Sequence, residues 1–304
     1  MIRVTSVILV GLLMFASPVF SQQPLASSRM TVDVFLLGGQ SNMQGVGKVK
    51  ELPADVPKEI PFTFFWNNGR FEPLILGKTK TSARITDFGP GVGFALTMAT
   101  ANRPVYLVKY YASGMPLHQG WDGNRWVGEE PAPGRRTFYP GENDEDPNTG
   151  TLYIEMRAMF HKAISHLVQE GLAPNVRGFL WMQGEQDSKH RTSATEYASS
   201  LKRLRKRLAE DLAVSQDLPL VFGQVLPHEP PLDRFTHRRE IRASMSACAS
   251  DSGEPESMKN TAMVPTDGFS LEADTVHYDA QGQLRLGTEF AQAMRGILSD
   301  LRVD

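Results

Sequence analysis

Internal disulfides are excluded at the outset, because the chain of 304 residues contains a single cysteine, Cys248. A cysteine nucleophile would need a basic partner. Cys248 instead lies among small residues at what reads as the end of a helix. We therefore expect it to be a small buried side chain and not a reactive one.

An excess of charge of one sign is also missing. The formal net charge is −2, from 32 basic and 34 acidic residues, which indicates neither a nucleic-acid partner nor a membrane-surface partner. The seven histidines include no His-Glu-x-x-His pair, and the spacing of His161 and His166 does not place them on one helix face. We predict no metal site and no cofactor, and no feature of the sequence indicates a protein partner.

Long apolar runs are absent except near the N-terminus. Arg3 precedes a mostly apolar run over residues 7–15, and small and polar residues follow it up to Gln22 and Gln23. The run is too short for an ordinary membrane span, and the whole pattern is typical of a signal peptide. We predict a signal peptide over residues 1–21, with an uncleaved anchor as the alternative. The chain would then be exported to the periplasm or the medium, with no membrane span in its mature part.

The remainder of the chain alternates between predicted strands and helices, which favours a parallel sheet with helices on both faces. We predict a three-layer α/β/α sandwich around a central, mainly parallel five-stranded sheet, in one domain over residues 30–304. Residues 48–88 read as irregular, with a possible short strand at 62–66, and residues 121–150 read as a long polar loop. The predicted strands are 30–37, 104–109, 176–182, 218–226 and 261–264. The predicted helices are 94–100, 152–169, 201–212, 238–248 and 281–301.

The glycine-rich segments of the chain do not match the three common glycine motifs of nucleotide-binding proteins and hydrolases. A nucleotide-triphosphate loop would need a glycine and a hydroxyl where the chain has Asn42 and Val49. The glycines at 89, 91 and 93 lack the dinucleotide-binding spacing. The Gly-x-Ser-x-Gly turn of α/β-hydrolases is broken by Met43.

Three polar segments remain, each at or just after a predicted strand. The first, residues 39–43 (Gly-Gln-Ser-Asn-Met), follows a continuous apolar run and contains Ser41. The others are residues 181–187 (Trp-Met-Gln-Gly-Glu-Gln-Asp) and 274–277 (Asp-Thr-Val-His). Each also has a structural interpretation: Ser41 could be a turn serine or a helix cap, and the last segment could cap the final helix.

Taken together, these segments contain what nucleophilic acyl transfer requires. Ser41 would be the nucleophile, His277 the base that takes its proton, and Asp274 the carboxylate that fixes the imidazole tautomer. An oxyanion would need fixed donors, for which the Ser41 N–H, the Gly114 N–H and the Gln183 side-chain amide are candidates.

In this order the three segments resemble the carbohydrate acetylesterases of the SGNH-hydrolase superfamily, and more narrowly the sialate O-acetylesterase-like group that includes acetyl-xylan esterases. The resemblance covers essentially the whole chain after the predicted signal peptide. It implies a flavodoxin-like SGNH-hydrolase fold and a catalytic triad of Ser41, Asp274 and His277.

The resemblance also implies supporting roles. Gln183 would stand where most of the superfamily has an oxyanion-hole asparagine. Gln40 and Asn42 would shape the nucleophile loop. Glu185 would brace the pocket by hydrogen bonding, with a direct role as orienting carboxylate left open. The chain departs from the family at residues 113–115, where Ser-Gly-Met replaces the usual Gly-Gly-Thr, so either Gly114 or a neighbour would supply the second oxyanion amide.

The expected activity is that of a serine esterase that removes O-acetyl groups from sialic acid, xylan or another acetylated glycan through an acetyl-enzyme. Trp121, Trp126 and Tyr111 are aromatic side chains that could stack on a sugar ring. Two alternatives remain open: a non-catalytic carbohydrate-binding protein on the same fold, and an arylesterase or lipase of the same superfamily.

Overall fold

The computed structural model describes residues 29–128, 130, 132–228 and 233–301. The predicted signal peptide lies outside these residues. Within them, no helix is both long enough and apolar enough to cross a bilayer.

A seven-stranded sheet forms the centre of the molecule, in the order β7-β6-β5-β1-β4-β2-β3. Every neighbouring pair is parallel except β2 and β3, which form an antiparallel hairpin at one edge. The strands are β1 (Thr31–Gly39), β2 (Glu59–Asn67), β3 (Arg70–Ile75), β4 (Val105–Tyr111), β5 (Ala173–Met182), β6 (Leu220–Gly223) and β7 (Thr261–Val264).

The five predicted strands are present, and the expected count of five was too low because the β2–β3 hairpin extends the sheet. Pro61 and Pro73 interrupt the two strands of this hairpin, and Phe62 has a φ of 54° where the pairing register shifts. Pro73 lies in the edge strand β3, where a missing N–H costs no ladder bond, and Pro61 of β2 lies in the irregular stretch between Glu59 and Phe64. The two strands therefore lack the clean apolar pattern that identified the inner strands.

Helices cover both faces of the sheet. On one face α2 packs on α7, and on the other α3 packs against β4 and β5. The helices are α1 (Ser41–Gln44), α2 (Gly91–Met98), α3 (Thr151–Gln169), α4 (Arg191–Thr195), α5 (Tyr197–Asp211), α6 (Arg238–Ala247) and α7 (Ala280–Asp300), with short 3₁₀ turns at Val49–Glu51 and Asp187–Lys189. Two-residue ladders pair Gly47–Lys48 with Asp87–Phe88 and Trp121–Asp122 with Arg125–Trp126.

Helices α2 and α7 cross at contact distance because both present glycine. A Cβ on Gly93 would lie 2.1 Å from the Leu284 carbonyl oxygen, and one on Gly287 would lie 2.0 Å from that of Pro90. The glycines at the start of α2 thus serve helix packing. The helix begins at Gly91, three residues before the predicted start at 94.

The carboxyl ends of the central strands bring the polar segments together. Gly39 of β1 is paired in register with Tyr111 of β4 on one side and Met182 of β5 on the other. The residues that follow these three positions therefore share one edge of the sheet, which is where open α/β sheets bind ligands. Elsewhere, Cys248 is fully buried as predicted, and burial raises the pKa of its thiol to about 12.

Candidate active site

The turn after β1 is fixed by a close approach of backbone to backbone. Gly39 has a φ of +150°, and a Cβ there would lie 2.1 Å from the Met182 carbonyl oxygen. The same carbonyl accepts a 2.9 Å hydrogen bond from the Gln40 N–H. The chain then enters α1, whose first residue is Ser41, with 8% of its surface exposed.

Ser41, His277 and Asp274 form a continuous hydrogen-bonded row. His277 Nε2 lies 2.8 Å from Ser41 Oγ, and His277 Nδ1 lies 2.5 Å from Asp274 Oδ2. A hydroxyl, an imidazole and a carboxylate in this order can pass the hydroxyl proton to the ring while the carboxylate stabilises the resulting cation.

Asp274 is held by the turn that it begins. Its Oδ1 accepts the N–H groups of Val276 and His277, both at 2.9 Å. Burial raises the pKa of Asp274, but the hydrogen bonds from His277 and Val276 outweigh this effect and keep the pKa below its usual value. These hydrogen bonds therefore favour the ionised form of the carboxyl group.

Asn42 joins the turn that carries Ser41 to the turn that carries His277. Its Nδ2 donates to Val276 O at 3.1 Å, and its Oδ1 accepts the Tyr278 N–H at 3.1 Å. Both residues adjacent to His277 are thus bonded to one buried side chain. The same Nδ2 donates to Glu185 Oε1 at 2.6 Å.

Glu185 lies behind Asn42 and does not contact the row of three side chains through any described hydrogen bond. Its side chain is fully enclosed, and Oε2 has no hydrogen-bond partner among the described residues. Burial raises the pKa of Glu185, against the opposing effects of the Asn42 hydrogen bond and the nearby His277. Through its hydrogen bond, Glu185 holds the Asn42 side chain in place.

The expected oxyanion role of Gln183 does not fit its geometry. Its Nε2 donates to Asp187 Oδ2 at 2.6 Å and to Met115 O at 3.1 Å, and it lies 3.3 Å from Gln40 Oε1. The side chain has no exposed surface. Since an amide nitrogen carries two hydrogens, Gln183 has no donor left for an oxyanion. Gln40 takes part in the same buried network, because its Oε1 also lies 3.4 Å from the Gln186 nitrogen.

Two backbone N–H groups remain as candidate oxyanion donors. Within the described part of the chain, neither the Ser41 N–H nor the Gly114 N–H has a hydrogen-bond acceptor. Gly114 has a φ of +69° and open space where a Cβ would stand. The preceding residue connects its loop to α1, because Ser113 Oγ donates to Gln44 Oε1 at 2.7 Å.

Lys109 is a site residue that sequence reasoning assigned only to a strand. Its ammonium group donates to Gln44 O at 2.9 Å and to Met43 O at 3.3 Å, so it holds the C-terminal end of the nucleophile helix. The side chain is enclosed, and burial lowers its pKa to about 7. The available signal was a single cation inside the otherwise uncharged strand β4.

The tryptophans of the 121–150 loop are engaged within the protein. Trp121 is 4% exposed and donates its indole N–H to Ser193 Oγ at 3.0 Å. Trp126 stacks on His190 with ring centroids 3.5 Å apart. The expectation that Trp121 is available to a sugar is therefore wrong, whereas Trp126 and Tyr111 are half-buried and remain predictions. No cluster of three potential metal ligands occurs among the residues described.

Comparison with known proteins points to one family. The family model described as "Carbohydrate esterase, sialic acid-specific acetylesterase" matches residues 31–296. A probable carbohydrate esterase of Arabidopsis thaliana is 26% identical over 118 residues, which are 39% of this chain and 40% of that protein. The alignment thus spans less than half the length of this curated relative.

Solved structures share the fold. A protein from Arabidopsis thaliana superimposes with a TM-score of 0.63 at 19% identity, over 87% of this chain and 98% of the other. A carbohydrate acetylesterase from Xanthomonas citri gives a TM-score of 0.56 at 18% identity, over 88% of this chain and 57% of the other. The expected fold class is confirmed by these neighbours.

Proposed function

We propose that this chain, which belongs to the carbohydrate esterase family of sialic acid-specific acetylesterases, removes O-acetyl groups from sugar hydroxyls with Ser41 as its nucleophile. The observation that carries the proposal is the row of hydrogen bonds from Ser41 Oγ through the His277 ring to Asp274. Family membership supports an acetyl ester as the substrate, and the hydrogen-bonded row of Ser41, His277 and Asp274 supports nucleophilic catalysis.

In the first step His277 Nε2 takes the Ser41 proton while Oγ attacks the acetyl carbonyl carbon. The negative charge that develops on the carbonyl oxygen is stabilised by the Ser41 and Gly114 N–H groups. The ring keeps its other proton on Nδ1, facing the ionised Asp274. Collapse of the tetrahedral intermediate breaks the ester C–O bond, and the sugar oxygen leaves with the proton from Nε2.

In the second step a water molecule replaces the sugar. His277 Nε2 takes a proton from the water as its oxygen attacks the acetyl-enzyme. The same two N–H groups stabilise the second intermediate, and the proton returns to Ser41 Oγ as acetate leaves. Each proton removed is returned, so the residues of the row end as they began.

The direct test is the substitution Ser41→Ala, which removes one oxygen atom from the site. We expect acetate release from acetylated glycans and from 4-nitrophenyl acetate to fall by at least about 10³-fold, with unchanged thermal unfolding. A serine-reactive phosphonate should label the wild type and fail to label this variant. The exposed Ser199, changed to alanine, serves as the matched control and should keep both activity and labelling. Full activity in Ser41→Ala would refute the proposed nucleophile.

The finer substrate assignment covers sialic acid, xylan or another acetylated glycan, and a panel of such glycans separates them. An arylesterase or lipase would prefer longer acyl chains, which a series from acetyl to octanoyl esters tests. A non-catalytic carbohydrate-binding protein would release no acetate from any of them. Export remains a proposal from the sequence, and cleavage near Ser21 is tested by N-terminal sequencing of the secreted protein.

A further inference from the structure

A cleft of about 1180 Å³ adjoins the proposed active site along the carboxyl edge of the sheet. Its floor is the end of β4 and the residues up to Ser113, one wall is the β2–β3 turn, and the other wall is α3. Gln44 of α1 also lines it, so the cleft meets the nucleophile helix at the hydrogen bond between Ser113 and Gln44. The cleft and the proposed active site therefore share one boundary, formed by Gln44 and Ser113.

The charges that line the cleft are mostly positive. Lys80, Arg136 and Lys162 are exposed at its sides and Lys109 is buried in its floor, whereas the acidic residue is Glu155. Glu155 already accepts a 2.5 Å hydrogen bond from the Tyr110 hydroxyl. Lys109 donates to the backbone carbonyls of Met43 and Gln44, and among the described residues none of the three exposed cations has a carboxylate partner within ion-pair distance.

Cations without internal partners make a concave surface attractive to anions, because a low-dielectric wall focuses their field into the cleft. The unpaired cations of the cleft are therefore suited to a ligand that brings negative charge with it.

The remaining lining fits sugar rings. Tyr110 and Tyr111 are half-buried on the floor, and the β2–β3 hairpin contributes the amide side chains of Asn68 and of Asn67, whose Nδ2 also donates to Glu72 Oε1. Aromatic faces beside amide donors and acceptors provide both stacking and hydrogen bonding. The volume exceeds the usual range of about 300–1,000 Å³ for small-molecule pockets, so the cleft has room for more than one sugar unit.

We propose that this cleft binds an acidic oligosaccharide segment that continues from the acetylated sugar, with carboxylate or sulfate groups facing Lys80, Arg136 and Lys162. The inference rests on the proposed esterase function and extends it from a single acetylated sugar to a charged glycan chain. The cleft then favours substrates in which negatively charged sugar units lie next to the acetylated sugar.

The test compares two charge-matched double variants. Lys80→Gln with Lys162→Gln removes two cations from the cleft, whereas Lys202→Gln with Lys259→Gln removes two exposed cations elsewhere. The readout is the ratio of kcat/KM for an acetylated oligogalacturonide to that for an acetylated neutral xylo-oligosaccharide. An exposed ion pair contributes about 0.2–1 kcal/mol, which corresponds to a factor of about 1.4–5 per lysine.

We expect the cleft variant to lower this ratio by about 2–25-fold, mainly through KM on the acidic substrate. The control pair should leave it unchanged. Raising the sodium chloride concentration to about 0.5 M should lower the wild-type ratio in the same direction. An equal ratio in the wild type and the cleft variant would overturn the proposal, and so would an equal loss in both double variants.

A binding measurement separates this inference from the esterase proposal. Calorimetry with deacetylated oligogalacturonide and the Ser41→Ala protein requires no catalysis. If the cleft substitutions weaken this binding while the wild type releases no acetate from any ester, the cleft is supported and the esterase is refuted. If Ser41→Ala does not bind while the wild type releases acetate, the esterase is supported and the cleft is refuted.

Discussion

Substitution of Asn42 tests whether one buried amide holds both halves of the site. Asn42→Ala removes the acceptor of the Tyr278 N–H and the donor to Val276 O, the residues on either side of His277. It also removes the donor to Glu185 Oε1. The three partners lie in a buried region, so each loses a hydrogen bond at a site away from bulk solvent.

The magnitude follows from those three partners. Each buried polar group left unsatisfied costs about 1–3 kcal/mol, which gives an upper bound of roughly 3–9 kcal/mol. One water molecule in the vacated space can satisfy two or three of them, so we expect a loss of about 2–4 kcal/mol in unfolding free energy. Because the turn that carries His277 is released, its ring shifts relative to Ser41 Oγ. A displacement of about 1 Å costs on the order of 10²-fold in kcat.

The assay pairs steady-state kinetics on an acetyl ester with urea unfolding. The matched control is Ser82→Ala, which removes a buried 2.6 Å hydrogen bond to Gly45 O next to α1 and leaves the described hydrogen bonds of the His277 turn in place. We expect both variants to lose stability and only Asn42→Ala to lose about 10²-fold in kcat, with KM nearly constant. If Asn42→Ala retains kcat within about threefold of Ser82→Ala, Asn42 contributes to stability alone, and the positional argument is refuted.

Three further predictions concern other parts of the site. Asp274→Asn should lower kcat by about 10³–10⁴-fold at constant KM, since the amide favours the wrong imidazole tautomer. Because the pKa of Asp274 is depressed, the contribution of its carboxylate to the unfolding free energy is present above about pH 4 and is lost only below it. Acid unfolding of the wild type and of Asp274→Asn measures this loss. Burial lowers the pKa of Lys109 to about 7, whereas the unfolded chain keeps this proton up to about pH 10. The unfolding free energy of the wild type should therefore rise relative to Lys109→Met between pH 7 and 10, and a falling difference in urea titrations would contradict this. Gly39→Ala should lower the unfolding free energy, measured by thermal unfolding, by about 2 kcal/mol or more, because the new Cβ would lie 2.1 Å from the Met182 carbonyl oxygen. Gly114→Ala has open space around the new Cβ and should lower it by only about 1–2 kcal/mol.

The inner sheet could be predicted because burial on both faces leaves a continuous apolar run in the sequence. β1 and β6 illustrate this, since their residues are almost entirely buried. The β2–β3 hairpin could not be predicted with the same certainty. Its prolines and its partly exposed face remove the pattern, and its position depends on pairing with β4, which is distant in sequence.

The row of Ser41, His277 and Asp274 could be predicted because each residue type has a distinct chemistry and a recognisable neighbourhood. Lys109 could not, because its role depends on where its side chain ends. The parallel pairing of β1 with β4 brings Lys109 level with Leu37, so that its ammonium group reaches the carbonyls that end α1. The alternation of side chains along a strand does not indicate which carbonyl groups the Lys109 side chain will reach.

Gln183 shows why a motif can be informative when the role first assigned to it is wrong. Its side-chain N–H groups, predicted as oxyanion donors, bind Met115 O and Asp187 instead. Asp187 in turn accepts the N–H groups of Leu117 and His118, at 2.9 and 3.0 Å.

Three of these four bonds end on the loop immediately after Gly114, and the fourth joins Gln183 to Asp187. Burial raises the pKa of Asp187, and the N–H groups of Leu117 and His118 and the Gln183 amide act against that rise. The buried pair of Gln183 and Asp187 thus fixes the backbone from which the Gly114 N–H projects. An amide that never touches the oxyanion can still set the position of the group that does, because the loop after Gly114 is bonded at Met115, Leu117 and His118.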